Sequence, residues 1–173
     1  MTNALLGDPA SMSALGASMR RTAVRLAADA ERMADVGGRA APGWSGPRAA
    51  GLRRRVDTVT GHTDGVAAAL DDVGRALQLA ATDLATAIAQ LRELETSANA
   101  LGLQVRDGSV TRSWGITGVA DAGTVRDGDE QRQRLQERVH QTVTTLGRQR
   151  ARLAKDLDRA SGLLARAAAE LRR

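Results

Sequence analysis

The residues able to do chemistry in this 173-residue chain are few and scattered. Its two histidines, His62 and His140, lack the close spacing on one helix that a zinc hydrolase uses, and no local carboxylate pattern completes a metal site. Cysteine is absent, which removes any disulfide framework, thiolate zinc site or cysteine nucleophile. No serine sits in a nucleophile elbow. The glycines between 115 and 128 neither follow a strand nor precede a Gly-Lys-Ser/Thr, so no phosphate cradle is argued. Asp71-Asp72 and the Glu93/Glu95 pair read as solvent-face acids of a long helix. No catalytic, cofactor-binding or metal residue is assigned, and the chain reads as non-enzymatic.

Composition points the same way. Phe and Tyr are absent, Trp44 and Trp114 are the only aromatics, and two isoleucines cannot supply the sheet of an α/β enzyme. Abundant Ala, Leu and Arg read as long helices. The net charge of +5 lies wholly in residues 106–173, because residues 1–105 balance. Acids are interspersed among these arginines and stacking aromatics are missing, so a solvated helix face is preferred to a nucleic-acid surface. The N-terminus has no basic segment followed by an apolar run, so no Sec signal peptide is expected, and no apolar stretch is long enough for a membrane span.

Along the chain, Asp8-Pro9 predicts a helix start, with Asp8 capping the first amides and Pro9 in the first turn. Met12, Leu15, Met19, Leu26, Ala30 and Met33 carry this helix to about Val36, where Gly37-Gly38 is expected to break it. A turn over 41–47 follows. The second helix is the clearest signal. From Leu52 through Leu70, Val73, Leu77, Leu84 and Leu91 to Leu101, apolar positions alternate steps of four and three, the spacing of a coiled-coil seam. Gly61, Gly65 and Gly74 interrupt its composition and are read as places of close helix approach or a kink.

Leu103 to Thr111 predicts a β-hairpin around Asp107-Gly108, which tolerates the positive φ of a type I′ turn. Leu103, Val105 and Val110 would share its apolar face, with Trp114 as anchor. A third helix is expected from Asp127–Glu130, whose Asp-x-x-Glu resembles a capping box. Its stripe runs Leu135, Val139, Thr142, Leu146, Arg150, Leu153, Leu157, Ala160, Leu164, with a stutter that puts the charge of Arg150 on it. Helix one is too short to cover the distal half of helix two. Helix three is therefore expected to return along that seam, packing Leu135, Val139, Leu146 and Leu153 on it.

Trp44-Ser45-Gly46 lies between two amphipathic helices, within Gly-Trp-Ser-Gly-Pro-Arg-Ala-Ala. This arrangement resembles the WxG-motif family of small type VII secretion proteins, in particular its actinobacterial members, over roughly residues 8–101. The resemblance implies a helical hairpin that pairs with another hairpin, either a second copy (a homodimer) or a WxG-like or effector partner. It also implies a cytoplasmic protein before any export by a type VII system. The chain has no tyrosine, so it cannot supply the family's C-terminal Tyr-x-x-x-Asp/Glu export signal itself. Trp44 has two readings: an apolar plug closing the hairpin, or a partner-binding residue.

The expected fold is all-α: a WxG-type hairpin (1–101), a Gly-rich β-hairpin excursion (102–128) and a third long helix (129–173) packing back as a bundle or coiled coil. The expected function is helix-to-helix association within type VII secretion. The alternatives are a chaperone or targeting adaptor for a secreted effector, and an Arg-rich coiled-coil protein associated with nucleic acid.

Overall fold

The structure is a computed structural model that describes residues 7–39, 43–112 and 122–172. It is mostly helical: α1 (Pro9–Arg39), α2 (Pro47–Ala100) and α3 (Ala122–Leu171), with strands β1 (Leu103–Arg106) and β2 (Ser109–Arg112) between α2 and α3. Two compact units divide it. One combines Asp8–Ala81 with Arg152–Arg173, and the other is built on Thr82–Ala151. We call them the three-helix unit and the hairpin unit.

The three-helix unit begins as the sequence predicts. Asp8 caps α1: its carboxylate accepts the amides of Ala10 at 3.1 Å and Ser11 at 3.0 Å and the Ser11 hydroxyl at 2.5 Å. These hydrogen bonds, that of the Ser11 hydroxyl foremost, hold the Asp8 carboxyl below its ordinary pKa. The expected break at Gly37-Gly38 does not occur, because α1 continues to Arg39. The missing side chain of Gly37 has a use here. A Cβ on it would stand 2.9 Å from Val56 Cγ1 of α2, so the glycine admits the neighbouring helix, at a propensity cost of about 1 kcal/mol.

α2 starts at Pro47, directly after Gly46 at φ +108°, whose carbonyl accepts the Ala50 amide at 3.1 Å. It ends in a tight turn closed by Gly102 at φ +67°, the left-handed position that favours glycine after a helix. Of the predicted seam only the two ends are exposed, Leu52 at 42% and Leu101 at 47%. Within the three-helix unit, Val73 and Leu77 of α2 meet Ala160 of α3, with Met12 and Met19 of α1 and Leu153 and Leu157 of α3 packed around them.

In the hairpin unit, Leu94 and Ala98 of α2 meet Leu135 and Val139 of α3. The β-hairpin caps this cluster with Leu103 and Val110, both buried, and the half-buried Val105. Its strands are antiparallel with Val105 opposite Val110, and Asp107 (φ 50°) and Gly108 (φ +78°) make the expected two-residue turn. The predicted anchor, Trp114, lies outside the described residues. A different residue holds the hairpin: Gln136 of α3 accepts the Val110 amide at 2.7 Å and donates to the Gly108 carbonyl at 2.9 Å.

Two expectations about α3 are corrected. It starts at Ala122, so Asp127 and Glu130 lie inside the helix and form no capping box. Asp129 instead pairs with Arg112 of β2 at 3.3 Å and with Arg132 at 3.6 Å. The inward place after Leu146 belongs to half-buried Gln149, while Arg150 is exposed. The two consecutive steps of four thus fall one heptad later, at Gln149–Leu153–Leu157, and no charge sits on the stripe there.

Candidate functional site

Helix one carries a pattern that hydropathy conceals. Met12, Met19, Leu26 and Met33 recur every seven residues, and so do Gly16, Ala23, Ala30 and Gly37, with the two series interleaved by steps of four and three. Gly16, Ala23 and Ala30 are buried. On α2, Thr60, Ala67, Gly74 and Ala81 form the matching small series, with Ala67, Gly74 and Ala81 buried. Small residues on both helices bring the two backbones close, and of the large residues beside them Met12 and Met19 pack on the cluster that includes Ala160 of α3. Half of the buried apolar side chains among the described residues are alanines.

Of the turn predicted over 41–47, residues 43–47 are described and lie between α1 and the first turn of α2, whereas 41 and 42 lie outside the described residues. Trp44 is 45% exposed, and its carbonyl accepts a hydrogen bond from Arg53 Nη2 at 3.1 Å. Ser45 is exposed. Gly43 and Gly46 take φ of +111° and +108°, conformations that L side chains rarely adopt. Met33, Val36 and Leu52, on the flanking turns of α1 and α2, are also exposed large hydrophobics.

The predicted seam residues are placed as follows. Val73, Leu77, Leu84 and Leu146 are buried, whereas Leu70, Leu91, Leu153 and Leu157 are half-buried. Leu91 packs beside the Leu94–Val139 cluster, and Leu153 and Leu157 beside Val73 and Leu77. Leu146 lines an open cleft of about 520 Å³ in the hairpin unit, between Ala87 and Leu94 of α2 and Gln149 of α3.

His62 of α2 makes an ion pair with Glu170 of α3, Nε2 to Oε2 at 3.2 Å, when its ring is protonated. The pair borders a cleft of about 240 Å³ that also touches Gly61, Gly65 and Arg166. His140 stands 3.5 Å from the Thr144 hydroxyl on its own helix. No three His, Asp or Glu side chains lie together as metal ligands among the described residues. Arginines of α3 pair with acids one turn away, Arg134 with Glu130 at 3.3 Å and Arg159 with Asp156 at 3.9 Å, as on a solvated helix face. No helix among the described residues is long and apolar enough to cross a membrane.

Sequence reasoning placed a close helix approach at Gly74, where it occurs, and at Gly61 and Gly65, where none is found among the described residues. It missed Gly16 as the partner in that approach and the Gln136 clamp. A seven-residue period of small residues would have revealed the first, whereas the second had no local signal. Comparison with family models, with curated proteins and with solved structures returns no match.

Proposed function

We propose that the chain is a non-enzymatic, type VII secretion-associated WxG-like protein that works by helix-to-helix association with a partner or with a second copy. The observation that supports this reading is the exposure of Trp44. A tryptophan that closed the hairpin as a plug would be buried; this one is nearly half open to solvent, in a turn whose two positive-φ glycines present it. An exposed aromatic of this size, with further apolar side chains on the adjoining turns, is the kind of residue that dominates binding energy at interfaces.

The experiment is a paired measurement on Trp44→Ala. The full chain is mixed with WxG-like helical proteins encoded beside it and sized by sedimentation, and the same variant is melted. The expected result is a complex with the parent chain that is lost in the variant, with a thermal melt changed by less than about 1 kcal/mol. A parent chain that stays a monomer, alone and with every such protein, overturns the reading.

A further inference from the structure

We propose that the exposed end of the α1–α2 hairpin is a docking surface for an acidic amphipathic helix of a partner protein, seated on Leu52 and Val59 beside Arg48 and Arg55. This rests on the association reading above and names the chemistry of the partner.

Three seven-residue series are covered by α3 only in part. On α2, Val73, Val66, Val59 and Leu52 occupy one heptad position, and exposure grows along it: Val73 is 6% exposed, Val66 and Val59 are half-buried, and Leu52 reaches 42%. On α1, Met12 and Met19 pack against the cluster that includes Leu153 and Leu157 of α3, while Met33, two heptads beyond Met19, is 37% exposed. The third series is His62, Arg55 and Arg48. Its first member pairs with Glu170 of α3 at 3.2 Å, and the next two are exposed. Arg48 and Arg55 meet no carboxylate among the described residues.

α3 thus shows what this track accepts. It runs antiparallel to α2, with apolar side chains on the valine series and an acid opposite the basic series. The same chemistry continues past Glu170: an apolar floor of Leu52 and Val59, and a rim of two arginines seven residues apart. A helix that fits has apolar residues in steps of three and four and acids every seventh residue. Charge chooses the occupant. Four arginines, Arg48, Arg53, Arg54 and Arg55, stand in the first turns of α2 against Asp57, and the positive end of the helix dipole adds to them. Two such ends would repel each other, which disfavours a second copy here, whereas an acidic helix gains in steering and in specificity.

The test uses the full chain and a labelled synthetic helix three heptads long, with Leu in three-four steps and Glu at every seventh position. A control peptide carries Lys for Glu. Fluorescence anisotropy should show binding of the Glu peptide, weakened about tenfold by Arg48→Glu/Arg55→Glu and abolished by Leu52→Asp. The Lys peptide should bind the charge-reversed variant better than the parent. All substituted side chains are exposed, and unchanged melts confirm that the variants fold.

Failure of the Glu peptide to bind, equal binding of both peptides, or binding indifferent to Leu52→Asp would overturn the proposal. So would retention of a random-sequence oligonucleotide that displaces the peptide and is itself unaffected by Leu52→Asp, because the arginines would then be a polyanion surface. Sedimentation separates this from the broader reading: a chain that forms a complex with a helical partner yet ignores the Glu peptide refutes the acidic-helix inference alone.

Discussion

The carbonyl oxygens of Gly16 and Gly74 each fill the space where the other residue's β-carbon would stand. A Cβ on Gly16 would lie 2.6 Å from the Gly74 oxygen, and one on Gly74 would lie 2.7 Å from the Gly16 oxygen and 2.5 Å from Arg20 Cγ. Backbone meets backbone at this crossing, and Arg20 ties its edge by donating to Asp71 at 3.0 Å and to Gln78 at 3.2 Å. Flexible side chains can give way, but a carbonyl of a packed helix cannot.

Gly74→Ala is therefore expected to destabilise the fold by about 1–3 kcal/mol, since overpacking outweighs the gain in helix propensity. Gly61 and Gly65 lie on the same helix with nothing among the described residues within 4 Å of an added Cβ. Alanine at either should stabilise by about 0.5–1 kcal/mol. Urea melts of the three variants decide the matter. A stabilised Gly74→Ala would mean that the two helices do not approach as closely as described.

Thr60 lies in the small series of α2, two heptads before Gly74, and its hydroxyl is buried with no hydrogen-bond partner among the described residues. Thr58 and Thr63, by contrast, donate to carbonyls one turn back at 2.8 Å each. Leaving a buried hydroxyl unmatched forfeits its hydration with no return. Thr60→Val, which keeps the shape and removes the polar atom, should raise stability by about 1 kcal/mol. Thr60→Ser, which keeps the hydroxyl, should show no gain. A loss of stability in the valine variant would show that the hydroxyl has a partner in solution.

The α2 stripe and the Asp107-Gly108 turn were legible in the sequence for different reasons. The first repeats large apolar side chains along a helix of 54 residues, so periodicity alone reveals it. The second needs positive φ at two adjacent residues, which only a few residue pairs tolerate. Gly16, Ala23, Ala30 and Gly37 were not legible as a packing face, because small side chains carry little hydropathy and glycine reads as a breaker. The same bias placed the start of α3 too late: Gly128 lies inside a helix that Leu135 and Val139 anchor by burial. At the candidate site, residue types pointed to a helix boundary near Trp44, but the exposure of Trp44 depends on which helices reach that end of the unit. Nothing local encodes that.

The cap at Asp8 carries a pH dependence of known sign. Its carboxyl titrates below the ordinary 3.8 in the folded chain, first because the Ser11 hydroxyl donates to it, then because the Ser11 and Ala10 amides do. Stability contributed by a depressed carboxylate is present in full above the unfolded value and is lost as pH falls through the folded one. Amide exchange at Ala10 and Ser11 should therefore accelerate as pH falls below the ordinary carboxylate range, beyond the intrinsic change. In Asp8→Asn, which can still accept hydrogen bonds but does not titrate, that extra step should vanish. An identical pH profile in the two proteins would show that Asp8 does not cap α1 in solution.

Gln136 decides whether the β-hairpin is a fixed part of its unit. Two short strands joined by a tight turn are marginal by themselves, and the apolar face of Leu103 and Val110 offers little directional restraint. The amide side chain supplies direction, accepting from the Val110 amide on one strand and donating to the Gly108 carbonyl in the turn. Gln136→Leu keeps the bulk and removes both bonds, at an expected cost of about 1–3 kcal/mol for two backbone groups left unmatched. The loss should be local first. Exchange of the Val110 amide should accelerate strongly, while that of Val139, which is fully buried on α3, should follow only the global change. Gln136→Glu is an informative second variant, because a carboxylate can accept from Val110 but cannot donate to Gly108. It should recover protection of the Val110 amide only in part at neutral pH, and more fully in acid, where the protonated carboxyl can again donate. Unchanged Val110 exchange in Gln136→Leu would show that the hairpin is held by its apolar face alone.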